Sequence, residues 1–177
     1  MPYRSRYSLA TIRGLVTTSF FLALAVVLPM AFHWAQLAGR AFSPMHIPVL
    51  LAGAFLGWLP ALVVGALAPP LSFLLIGMPP PYAVPMMAIE LPFYGVILAL
   101  LYRKLKFPLL VALVVAILFG RLAFGFSMVF LAPLLGLPHS VKTFLTAAFV
   151  TGLPGIAVQL VLIPVAVRTL GPLFRKR

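Results

Sequence analysis

Five stretches of this sequence carry no charged side chain: 26 residues between Arg13 and Arg40, 49 between Arg40 and Glu90, 14 between Lys106 and Arg121, 20 between Arg121 and Lys142, and 25 between Lys142 and Arg168. A helix needs only about 20 predominantly apolar residues to cross the hydrocarbon core of a bilayer. Inside that core each backbone polar group must be satisfied within the chain, so such runs fold as helices. The fold class expected is therefore an all-α integral membrane protein. With 64% of residues hydrophobic and 8% charged, a water-soluble enzyme and a disordered tail are excluded. The absence of cysteine excludes a secreted disulfide scaffold.

The sequence predicts one membrane domain over residues 1–177, a compact bundle of six transmembrane helices near 15–32, 47–59, 61–76, 83–102, 108–131 and 143–167. The second and third spans share one apolar stretch, interrupted by Gly57-Trp58-Leu59-Pro60. That stretch reads either as one long tilted helix or as two short ones, and charge bias arbitrates. With six spans and a cytoplasmic N-terminus, ten basic residues fall inside (Arg4, Arg6, Arg13, Arg103, Lys104, Lys106, Arg168, Arg175, Lys176 and Arg177) and two outside (Arg40 and Lys142). Five spans would leave four inside and eight outside. Six spans and two cytoplasmic termini are therefore expected, with the second span short, about 20 Å of helix. A cleaved signal peptide fits poorly, because the apolar run from Leu15 to Phe32 exceeds a usual signal core and no polar domain follows it. The net charge of +12 reads as a set of topology signals rather than a nucleic-acid surface, since the basic residues lie between apolar runs. Phe174-Arg175-Lys176-Arg177 is expected to meet the anionic headgroups of the bilayer.

Glu90 is the only acidic residue, and it precedes Arg103 by 13 positions. On a helix it lies about 20 Å above the cytoplasmic edge, and Arg121, counted from Phe107, lies about 21 Å up. Opposite charges thus share one depth in the outer half of the membrane, where an ionised group costs at least a few kcal/mol unless it is paired or faces a polar cavity. An internal ion pair and a substrate pocket both satisfy that requirement. Pro154 and Gly155 place a helix break at the same depth. Tyr94, one turn from Glu90, and Phe124 and Met128, near Arg121, are positioned to stack on a ring. His33, His46 and His139 fall at or near the outer face, as lid or interfacial residues. One carboxylate, three histidines and no cysteine do not make a metal site, and no cofactor is called for. No phosphate-binding Gly-x-x-x-x-Gly-Lys loop occurs, so ATP hydrolysis would belong to a partner. The prolines of Met78 to Tyr82 stiffen an outer loop into a lid.

The block Ser43-Pro44-Met45-His46-Ile47-Pro48-Val49-Leu50-Leu51-Ala52-Gly53 resembles the substrate-binding S components of energy-coupling factor (ECF) transporters. So do Gly57, Gly65, Pro69-Pro70-Leu71-Ser72, Gly77-Met78-Pro79-Pro80, Glu90-Leu91, Tyr94-Gly95 and Leu101-Tyr102-Arg103. In the second half Gly120-Arg121, Phe149, Pro154-Gly155-Ile156, Gln159 and Ile163-Pro164 agree. The resemblance implies a six-helix protein of the prokaryotic plasma membrane. It would bind one water-soluble vitamin or precursor on the outside and associate with a transmembrane coupling subunit and two ATPase subunits. The implied pocket is closed by the loops 33–46 and 78–82. The substrate-binding set expected is Glu90, Arg121, Tyr94, His46, Tyr82, Phe124 and Gln159. Many members carry an Ala-x-x-x-Ala helix-contact motif in span one; Ser19 and Ala23 are similar to it, with Ala31 and Ala35, past Pro29, as the other pair at that spacing, and small-xxx-small spacing lets a partner helix approach closely. The pattern of the biotin-specific members around span four is not found. Pantothenate, folate, a ribazole-like cobalamin fragment, riboflavin and tryptophan remain open, and a guanidinium in the pocket favours a carboxylate-bearing ligand.

Three other functions are weighed against this one. A stand-alone secondary transporter would use protonation of Glu90, and an assembly subunit would use Glu90 and Arg121 only as a lock. A membrane enzyme needs more polar groups within the bilayer than one Glu, one Arg and scattered hydroxyls.

Overall fold

The computed structural model describes residues 8–34, 43–136 and 152–175. Among these there is no strand, and the helices are α1 (Ile12–Trp34), α2 (His46–Phe55), α3 (Trp58–Ile76), α4 (Val84–Leu98), α5 (Leu109–Phe126) and α6 (Leu153–Arg175). A π-helical turn, Ala99–Lys104, prolongs α4. Another, Ser127–Leu131, and a last turn, Ala132–Leu134, prolong α5. With these extensions five helices are long and apolar enough to cross a membrane, and α2, with 10 residues, is not. Arg40, Lys142, His139 and the predicted stretch 143–151 lie outside the described residues.

The division between the second and third helices falls at Leu56-Gly57 rather than at Pro60. Gly57 holds φ at 120°, a conformation that glycine adopts readily and side-chain-bearing residues rarely do. Pro60 enters the first turn of α3, where its missing N–H has no intrahelical partner to lose. At its other end α2 starts from a tight turn, with the His46 amide donating to the Ser43 carbonyl at 3.1 Å.

All ten residues of α2 are buried. Its length is about 15 Å, so it is a half-membrane rod enclosed by α1, α3, α4 and α6 rather than a span facing lipid. In a bilayer, close packing rather than exclusion of water holds helices together, and small residues at the contacts allow it. A Cβ on Gly53 would run into the Gly95 carbonyl, and one on Gly65 would sit 2.6 Å from the Pro92 nitrogen. α4 is thereby held at backbone distance from both α2 and α3. At the basic end, Phe55 of α2 stacks on Phe174 of α6 at 4.3 Å, with Phe21 of α1 beside both. There Arg103, on the π-helical turn, donates to the carbonyls of Ala54 and Phe55, the last residues of α2. A cation at a helix C-terminus is the sign its macrodipole favours.

Candidate functional site

Glu90 lies on the face of α4 that meets α2 and α5, with 2% of its surface exposed. One turn on, the Tyr94 hydroxyl donates to Glu90 Oε1 at 3.3 Å. The same oxygen is 3.6 Å from Arg121 Nη1 on α5 and 3.5 Å from His46 Nε2 at the start of α2. The His46 ring meets the Tyr94 ring edge-on, with centroids 4.8 Å apart. Three helices thus bring three polar side chains to one carboxylate oxygen. α2 carries opposite charges at its two ends, Glu90 by its first residue and Arg103 by its last, the order its dipole prefers.

Gly120 makes this arrangement possible. A Cβ there would overlap the Tyr94 ring, so only glycine lets the phenol lie flat against α5 and reach Glu90 beside Arg121. The polar contacts are loose. Neither nitrogen of His46 has a hydrogen-bond partner, and neither does Arg121 Nε, although all three atoms are buried. Buried polar groups are normally paired; these are donors and acceptors held in place with capacity to spare.

On the side of Glu90 away from Arg103, Met86, one turn before Glu90, packs with Met128 and Ala132 of the extended α5, and Phe124 lies against them. Unbranched thioether side chains fill irregular space and repack readily, so this cluster forms a deformable apolar roof above the carboxylate.

The expected site residues divide accordingly. Glu90, Arg121, Tyr94 and His46 come together. Phe124 belongs to the roof. Gln159 is buried on α6, 1% exposed, and its Oε1 has no hydrogen-bond partner. Tyr82, 42% exposed, sits in the turn that leads into α4 and stays out of the cluster. His46, expected at the outer face, is 4% exposed. The physical reason is that α2 is enclosed by its neighbouring helices along its whole length, its first residue included. Pro154 stands in the first turn of α6, described from Leu153, where proline is tolerated; the part of the expected span that precedes residue 152 lies outside the described residues. Ser19 and Ala23 are both exposed on α1, while Gly14 and Thr18 are buried, with the Thr18 hydroxyl bonded to the Gly14 carbonyl at 2.6 Å. Sequence reasoning missed Met86, whose only signal was its place one turn from Glu90.

A large concavity among the described residues lies at the opposite end from Glu90. It measures about 1780 Å³ and lies where the α2–α3 turn, the α4–α5 turn and the end of α6 converge. The polar cluster, by contrast, is packed shut.

No curated protein and no solved structure matches this chain. A family model described as ECF transporter, substrate-specific component, does match, over residues 13–167. That stretch runs from the first turn of α1 into the last third of α6 and includes Glu90, Tyr94, Arg121 and His46. The chain therefore belongs to the family of substrate-specific components of ECF transporters.

Proposed function

We propose that this protein captures a water-soluble vitamin or vitamin precursor outside a prokaryotic cell, for ATP-driven import with a transmembrane coupling subunit and two ATPase subunits. The observation that carries this reading is the closed cluster of Glu90, Arg121, His46 and Tyr94, in which buried hydrogen-bonding atoms of His46 and Arg121 lack partners. An unmet buried donor or acceptor costs about 1–3 kcal/mol, which a ligand of matching polarity recovers. A carboxylate suits Arg121 and His46 best, by charge-assisted hydrogen bonds. Entry is from the outer end, through the methionine roof and beneath the 78–82 turn, with both termini on the cytoplasmic side. The exposed small pair Ser19 and Ala23 on α1 offers a flat seat for a helix of the coupling subunit.

The test has two arms. Purified protein in lipid nanodiscs is screened by thermal shift against a panel of water-soluble vitamins, where a bound ligand raises the transition by mass action. Vesicles holding this chain alone, or with coupling and ATPase subunits, are then assayed for uptake. A stabilising vitamin that is concentrated only when ATP and the partners are present supports the proposal. Concentrative uptake by this chain alone under an ion gradient would overturn it in favour of a secondary transporter that uses Glu90.

A further inference from the structure

We infer that the concavity at the basic end of the bundle is a binding site for the headgroup of an anionic phospholipid. Charge balance motivates the inference. The chain has 13 Lys and Arg residues and a single acidic side chain, and that carboxylate sits beside Arg121, about 20 Å up the helix from this end. Lys104, Lys106 and Arg168 therefore have no acidic side chain of their own chain to meet. Together with Arg103 they line one concavity of about 1780 Å³. Their counter-charge comes from outside the protein, and the cavity sets where it binds.

The walls decide which kind of anion. Phe55, Trp58, Phe107 and Phe174 line the same space, and Trp58 and Phe107 are 53% and 45% exposed, in the manner of aromatic side chains that sit at headgroup level. α3 also opens here, at Trp58, with no side-chain cap on its first amides, and unsatisfied amides at a helix N-terminus add to the attraction for phosphate. A free phosphate would use the cations and leave the aromatic walls bare. A phospholipid uses both, its phosphate among Lys104, Lys106 and Arg168 and its glycerol and upper acyl carbons against the rings. Basic recesses between membrane helices bind anionic headgroups by this combination. The leaflet concerned, the inner one, rests on the orientation given above; the site itself does not.

The experiment uses full-length protein in nanodiscs of phosphatidylcholine with or without phosphatidylglycerol, the same in both leaflets so that an error in orientation leaves the result unchanged. Lipid retained after mild detergent extraction is identified by native mass spectrometry, and thermal stability is read in parallel. Wild-type protein is expected to retain phosphatidylglycerol and to be stabilised by it, whereas the triple change Lys104→Gln, Lys106→Gln, Arg168→Gln loses about tenfold or more of the retained lipid. Removing three other basic charges, with Arg175→Gln, Lys176→Gln and Arg177→Gln, is the control and should retain it. Should the triple variant fold poorly, the single exposed change Lys106→Gln must still show a measurable loss. Equal loss in the control overturns the site in favour of diffuse surface charge. Equal stabilisation of the phosphatidylcholine sample by inorganic phosphate shows a free-anion site and overturns the lipid reading. Unaltered retention in the triple variant, with loss only of coupling-subunit association, shows a protein-docking face and likewise overturns it.

Discussion

Replacing Glu90 by glutamine keeps the shape of the side chain and an acceptor oxygen for Tyr94, but removes the charge that faces Arg121 Nη1 at 3.6 Å. At an effective dielectric constant of about 20, unit charges at that separation attract by about 4–5 kcal/mol. Stranding one member of a buried pair costs about 3–5 kcal/mol. Arg121 keeps 13% of its side-chain surface exposed against 3% for Glu90, which gives the stranded guanidinium some relief and places the expected loss near the lower bound, about 3 kcal/mol. The double change Glu90→Gln with Arg121→Met removes both charges and is expected to recover most of that loss. Thermal unfolding of wild type, both single variants and the double variant in nanodiscs gives the coupling energy; additivity within about 0.5 kcal/mol would refute a working pair. The stable double variant is then titrated with the vitamin identified in the screen. Weak binding is expected because the ligand has lost its ionic contacts. Wild-type affinity would refute the placement of the pocket and leave Glu90 and Arg121 as a lock between α4 and α5.

Four further outcomes are expected. Gly120→Ala should push the Tyr94 ring away from Glu90, destabilise by about 1–3 kcal/mol and weaken ligand binding, whereas Gly171→Ala, with open space around it, should change neither; both are read by thermal unfolding and titration. Arg103→Met should cost about 1.5–3 kcal/mol, the worth of charge-assisted hydrogen bonds to the end of α2, with the loss measured by the same unfolding assay. Ser19→Leu with Ala23→Leu should leave the ligand-induced thermal shift intact but abolish copurification with the coupling subunit. Single cysteines at Ser5 and at Arg177 should stay unlabelled by an impermeant reagent on intact cells, and labelling of either would reverse the assigned topology.

Much of this architecture was legible because a bilayer reduces folding to a few rules. Uncharged runs located the helices, and counting 1.5 Å per residue from Arg103 and from Phe107 put Glu90 and Arg121 at one depth. The polar half of the cluster could be reached by such counting because both residues sit on long, regular helices. His46 could not. A helix of ten residues wholly inside the protein gives no signal that separates it from an interfacial loop, so depth counting set its first residue at or near the outer face, and only the family resemblance grouped it with Glu90. The exact end of α2 was hidden for a related reason: Pro60 is the louder sequence signal, yet Gly57 is where the backbone turns. The π-helical turn that swings Arg103 onto the carbonyls of Ala54 and Phe55 also escaped, because an inserted turn changes no residue pattern. The basic concavity arises where two turns and the end of α6 converge, which no linear pattern records.

The enclosure of α2 has a consequence for how the protein is made. During synthesis the insertion machinery meets residues 46–76 as part of a single stretch that holds no charge from Arg40 to Glu90. It has no cue to stop after Phe55, since a ten-residue helix is too short to be released into lipid as a span. The hairpin between α2 and α3 should therefore form on assembly rather than on insertion, when α4 arrives and its backbone meets Gly53 and Gly65. A nascent chain halted after Ile76 should hold this stretch as one crossing, with its end on the cytoplasmic side. Once α4 has emerged, that end should turn outward.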